Sequence, residues 1–136
     1  AKEAQFNPCG NQTTASTRIV KKYIYKGGPV ESDQLQMGIN SVQPGNVWNT
    51  IPTHSHKRRV ECFMYYGMPE DAFYIEVIGE AKESRHVILR NEQAIVSAAW
   101  QMHFGVGTTH YDFIWAMGGE NKDFPDMDVI PMTEVE

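Results

Sequence analysis

The chain is poor in cysteine: Cys9 and Cys62 are the only two among 136 residues. Two are too few for a disulfide framework, and no C-x-x-C pair suggests a zinc knuckle or a redox motif, so both read as free thiols in a reducing, cytoplasmic setting. Positive charge is also scarce. Twelve Lys and Arg face 17 Asp and Glu, a formal net charge of -5 with the signs intermixed. No basic stripe is present to neutralise a phosphate backbone, which excludes nucleic acid as an expected partner. No run approaches the roughly 20 apolar residues that cross a bilayer, and the first residues do not join a charged segment to an apolar one, so no membrane partner is expected either. Sustained helical periodicity is missing too, apart from room for a short helix in the N-terminal tail or after Pro125.

What is present is a 41% hydrophobic sequence, rich in aromatics and of a length that encloses one core. Residues 1–17 are small and polar, broken by Pro8 and Gly10, and read as a linker or N-terminal tail; residues 18–136 read as one domain. Within that domain short β-rich runs alternate with breakers. The runs are 19–25, 35–42, 60–66, 73–78, 87–89, 94–97 and 111–117; the breakers include Gly27-Gly28-Pro29, Pro44-Gly45, Gly67 to Pro69, Gly79, Gly105 to Thr108 and Gly118-Gly119. The expectation is an all-β chain closed as a jelly roll, the double-stranded β-helix, which manages exposed strand edges. Phe63, Tyr65, Phe73, Phe113 and Trp115 alternate at strand spacing and are expected mostly in the core.

The chemistry concentrates in Thr53-His54-Ser55-His56-Lys57-Arg58-Arg59-Val60-Glu61. In an extended strand, residues two apart share a face, so His54 and His56 can hold one ion. Glu61 is out of register with them and joins only across a bulge or a turn near 57–59. His103, before Phe104-Gly105, is the best fourth ligand. Three imidazoles and one carboxylate suit Zn(II), Fe(II), Mn(II), Co(II) or Ni(II) alike. The spacing approximates the bipartite cupin pattern, with Gly45 and Gly67 in the flanking glycine places, although Ala98 and Trp100 stand where a proline and a glycine usually precede the last histidine.

Three longer segments, MGINSVQPGNVWNTIPTHSHKRRVE, GEAKESRHVILRNEQAIVSAAWQMHFGVGT and YDFIWAMGGENKDFPDMD, resemble the C-terminal half of the 5-keto-4-deoxyuronate isomerase family. The resemblance implies a cupin fold and one zinc ion on His54, His56, Glu61 and His103. It also implies ketol isomerisation of 5-dehydro-4-deoxy-D-glucuronate to 3-deoxy-D-glycero-2,5-hexodiulosonate in cytoplasmic pectin and uronate degradation, and a homo-oligomer. Family chains are about twice this long, which raises a separate N-terminal half chain as a partner.

An aldose-to-ketose shift needs an electrophile for the carbonyl and hydroxyl oxygens, with either proton or hydride transfer between carbons. Glu120 and Tyr111 are the candidate bases for the proton route. A sugar-acid carboxylate favours arginine, so Arg58, Arg59 and Arg85 are candidate substrate residues, with His86 beside them. Arg58 and Arg59 face opposite ways on any strand, so at most one can reach the site. A cupin Fe(II) oxygenase and a non-catalytic sugar-acid-binding half are the alternatives.

Overall fold

The computed structural model describes residues 4–120, 123 and 125–136. Its strands are β1 Gln5–Cys9, β2 Arg18–Ile24, β3 Gln36–Val42, β4 Trp48–Ser55, β5 Arg59–Tyr66, β6 Tyr74–Glu80, β7 Glu83–Leu89, β8 Gln93–Ser97, β9 Met102–Gly107, β10 Asp112–Gly119 and β11 Asp128–Val129. They form two antiparallel sheets, one ordered β1-β2-β3-β10-β5-β8 and the other β11-β4-β9-β6-β7. This is the jelly roll of the cupins. The sheets face each other because β3, β5 and β10 alternate buried and less buried residues, the period-two pattern of a strand with one face on a core.

Phe63, Tyr65, Tyr74, Tyr111, Phe113 and Trp115 fill the interior, each at most 3% exposed. Each such side chain contributes about 1.5–3 kcal/mol through removal of apolar surface from water. Tyr65 and Tyr74 stack at 4.1 Å between centroids, and Tyr111 meets Tyr74 edge-on at 4.9 Å. Phe73 is the exception to the expected core set: it is half-buried on the outward side, with the Arg90 guanidinium 5.4 Å above its ring.

Three readings of the sequence need correction. The segment expected as a tail carries β1, which pairs residue by residue with β2 from Gln5↔Lys22 to Cys9↔Arg18. Its polarity is that of an edge strand, where Pro8 costs no ladder bond on the free side. The loop after it is tied down as well, since Asn46 Oδ1 accepts from Thr17 N at 2.9 Å and Ala15 O accepts from Trp48 N at 3.0 Å. Gly105 and Gly107, expected in a turn, lie inside β9. A Cβ on Gly105 would collide with Ile75 O and the Tyr74 hydroxyl, so glycine here lets a tyrosine-bearing strand pack close. The short helix anticipated after Pro125 is a single 3-10 turn at Met132–Glu134.

Candidate metal centre

Strand β4 pairs His54 directly with His103 of β9. Cross-strand partners share a face, so both rings point into the sandwich. His56 follows just past the end of β4 on the same side. The chain then bends at 57–58 and crosses to the other sheet, where β5 aims Glu61 back at the three imidazoles. The ligating atoms of His54, His56, Glu61 and His103 lie within 4.8 Å of one another, and all four residues are at most 6% exposed.

The outer nitrogen of each ring is already committed. His54 Nδ1 lies 2.8 Å from Pro52 O and His56 Nδ1 lies 2.6 Å from Asp126 O; each acts as donor to its carbonyl. His103 Nδ1 lies 3.3 Å from Ser97 Oγ. The two carbonyls put a proton on Nδ1 of His54 and His56 and turn their Nε2 atoms inward, while the Ser97 hydroxyl can donate or accept. His56 Nε2 then meets Glu61 Oε2 at 3.1 Å, a contact that calls for a proton or a cation between the two atoms. His103 Nε2 is 3.2 Å from the same oxygen but lacks hydrogen-bond geometry, and it is buried with no hydrogen-bond partner among the described residues. A proton or a cation must lie among these acceptors. The residues fit a divalent transition metal: three borderline-soft nitrogens, one carboxylate, preset orientation and a buried setting.

Electrostatics agree with that assignment. Burial, then repulsion by His103, lowers His54 to about 4, so its ring is neutral and able to ligate near pH 7. Burial alone would raise Glu61, yet the imidazoles of His103 and His56 overcome it and hold the carboxyl down at about 2. Arg59 braces the arrangement from behind. Its guanidinium donates to Asp123 O at 3.0 Å and to Asp126 O at 2.8 Å, the second being the carbonyl that orients His56.

A cavity of about 280 Å³ opens onto the cluster, near the lower end of the ~300–1,000 Å³ usual for small-molecule pockets. His54, His56 and Glu61 form part of its wall, with Phe63, Trp115 and Met117 as an apolar side. The rest of the wall includes the polar Asn40, Asn49 and Thr50 together with Arg18 and Lys22 of β2. Two carbonyls hold the Arg18 guanidinium flat: Ser16 O accepts from one terminal nitrogen at 2.9 Å and Ile51 O from the other at 2.8 Å. Its Nε is buried without a partner among the described residues.

The other residues singled out in the sequence do not line this cavity. Arg58 is exposed in the bend before β5, and Arg59 is spent on the two backbone carbonyls. Arg85 aligns with His103 through Ile78, but it lies two strands away at the sheet edge, 80% exposed, 3.9 Å from Glu83. His86 is exposed on the same edge strand. Tyr111 is on the inner side, but six residues along the chain from Met117, the partner of Glu61, which is about 20 Å at strand rise; its hydroxyl donates to Val47 O at 3.1 Å. Glu120 is exposed beyond β10, its amide bonded to Arg58 O. Arg18 and Lys22 were missed, although a readable signal existed. Cations at positions 18 and 22 flank Val20 at spacing two, which puts both on one face of β2.

The family profile described as KduI/IolB family matches residues 1–131. A 4-deoxy-L-threo-5-hexosulose-uronate ketol-isomerase of Caldicellulosiruptor bescii is 47% identical over 135 residues, covering 99% of this chain and 49% of that protein. The protein of the same name from Shouchella clausii is 45% identical over 134 residues, covering 98% and 48%. The chain therefore spans about half the length of the curated relatives it matches. Among solved structures, an IolB-like protein of Salmonella typhimurium superposes with a TM-score of 0.80 at 12% identity, over 95% of this chain and 51% of that one. An oxalate oxidase gives 0.62 at 19% identity, over 92% and 61%; identities this low speak for the fold alone. With the profile spanning nearly every residue, the chain belongs to the KduI/IolB family.

Proposed function

We propose that this chain carries the metal centre of a ketol isomerase that interconverts 5-dehydro-4-deoxy-D-glucuronate and 3-deoxy-D-glycero-2,5-hexodiulosonate. The observation that carries the reading is the buried quartet His54, His56, Glu61 and His103, opening onto a cavity, in a chain 47% identical to a protein named for that isomerisation. The quartet would hold one zinc ion, which when bound supplies a Lewis acid for the substrate's carbonyl oxygen.

The remaining roles fall to the cavity wall. Arg18, held flat by two carbonyls, keeps Nε–H and its remaining N–H hydrogens for an anion, and Lys22 stands four residues along the same strand face. Together they take the sugar-acid carboxylate, the role that the sequence pointed to Arg58, Arg59 and Arg85 for. The amides of Asn40 and Asn49 and the hydroxyl of Thr50 face the sugar hydroxyls. Phe63, Trp115 and Met117 keep water from the reacting carbons. Tyr111 and Glu120 have no part in this reading because neither reaches the cavity. Two free cysteines accord with a cytoplasmic setting for uronate and pectin breakdown, and a homo-oligomer with one zinc per domain completes the reading.

Incubating zinc-loaded protein with 5-dehydro-4-deoxy-D-glucuronate and following the mixture by NMR tests it. The expected result is growth of the 2,5-diketo acid signals. Absence of that product, even when the other half of the relatives' length is supplied, contradicts the reading.

A further inference from the structure

The outward face of the six-stranded sheet is apolar, where the solvent side of an antiparallel sheet is ordinarily polar. The registers of β3, β10, β5 and β8 set Ile39, Ile114 and Met64 in one cross-strand row, and Met37, Cys62 and Val96 in the next. Ala94 ends the first row and Ala116 sits within the second, so no charged side chain interrupts either from β3 to β8. Val96 is 61% exposed, and Val60 and Met64 beside it 42% and 36%. Across β4, β9, β6 and β7, by contrast, Ile88 is the one exposed large hydrophobic among the described residues, at the edge of a row whose Ile75, Val106 and Trp48 are half-buried. The rows cover roughly 15 Å across the strands by 7 Å along them, a contiguous strip and not single scattered side chains.

The length comparison names an occupant. The curated relatives devote about half their length to residues that this chain does not match, enough for a second domain of this size. An exposed apolar strip is the kind of surface that a second domain covers. We propose that this face of β3, β10, β5 and β8 is the seat of that other half. The inference stands on surface and length alone and is independent of the isomerase reading.

Cys62 at the centre of the face is a built-in reporter, with Cys9, on the far side of the sheet in the cavity wall, as internal reference. The chain is labelled with a small maleimide alone and after co-expression with the complementary half of the Caldicellulosiruptor bescii relative, and adducts are mapped by mass spectrometry. The proposal expects a 1:1 complex in which Cys62 reacts at least about 10-fold more slowly than in the chain alone, as for a side chain at an interface core. It also expects that Met64→Lys, with an unchanged circular dichroism spectrum, loses the complex. As a check that needs no separate half, a cysteine placed in the whole relative at the position matching Val96 should be protected to the same degree. Failure to co-purify, unchanged Cys62 labelling in a complex, or free labelling in the whole relative each overturns it. So does a chain that dimerises by itself through this face, with Cys62 protected and Met64→Lys restoring the monomer, because the occupant is then a second copy.

Discussion

Glu61 and Glu76 are the same residue type, buried to nearly the same degree, in the same sandwich, and they adopt opposite charge states. Glu61, 6% exposed, is held down at about 2; Glu76, 1% exposed, is raised to about 8. Burial raises both, so the neighbours decide. Glu61 faces the imidazoles of His56 and His103 at 3.1 and 3.2 Å, whereas Glu76 has a phenol hydrogen bond from Tyr65 at 2.6 Å and the nearby charge of Glu61 against its ionisation, so desolvation prevails. The same interior keeps a negative charge on one carboxyl and a proton on the other. A carboxylate that stays ionised when buried is prepared for a cation; one that stays neutral belongs to the packing.

The largest expected effect comes from the charged carboxyl. Glu61→Gln preserves the shape but removes the charge, and metal affinity measured by competition with a chelator should fall by more than about 100-fold, since loss even of groups that only orient a ligand costs 10–100-fold. Glu76→Gln should leave metal affinity unchanged.

The next effect belongs to the neutral carboxyl. Glu76 titrates near 4.5 when unperturbed and near 8 in the fold, so between those values the folded state holds a proton that the unfolded state has lost. Its contribution to stability is full below about 4.5 and declines as pH rises through 8. Denaturant titrations should show several kcal/mol less of that decline in Glu76→Gln, which keeps an acceptor for Tyr65. Glu61 has the opposite sign: its contribution is present above 4.5 and lost as pH falls toward about 2. An identical pH dependence in wild type and Glu76→Gln would remove the distinction between the two carboxyls.

A third effect is linkage. Zinc at 100 times its dissociation constant should stabilise the fold by about 2.7 kcal/mol, read as a rise in Tm that chelation reverses. Glu76→Gln should keep that rise and Glu61→Gln should lose it. The smallest effect is that of Ser97→Ala, which removes the partner of His103 Nδ1 and should weaken the metal by about 10-fold with little change in Tm.

The two carboxyls and their surroundings also differ in how far the sequence disclosed them. Strands β3, β5 and β10 announce themselves by alternation, and the quartet was readable because His54 and His56 stand two apart with Glu61 and His103 at suggestive distances. Strand β1 was hidden, since an edge strand needs no apolar face, and β9 was hidden by glycines that serve close packing. Arg59 could not be placed from sequence because its role depends on the carbonyls of Asp123 and Asp126, more than 60 positions away. Arg85 misled because a carboxylate-binding residue type says nothing about whether its strand lies at a sheet edge. Glu76 lay unremarked in an apolar run, although an acid in such a run is itself the mark of a buried proton.

The most direct test of the central claim is anomalous diffraction at the zinc edge from crystals of the metal-loaded protein. The account predicts one strong peak bonded to His54 Nε2, His56 Nε2, His103 Nε2 and a Glu61 oxygen, at about 2.0–2.2 Å from each. A peak elsewhere, or none among these four side chains, contradicts it.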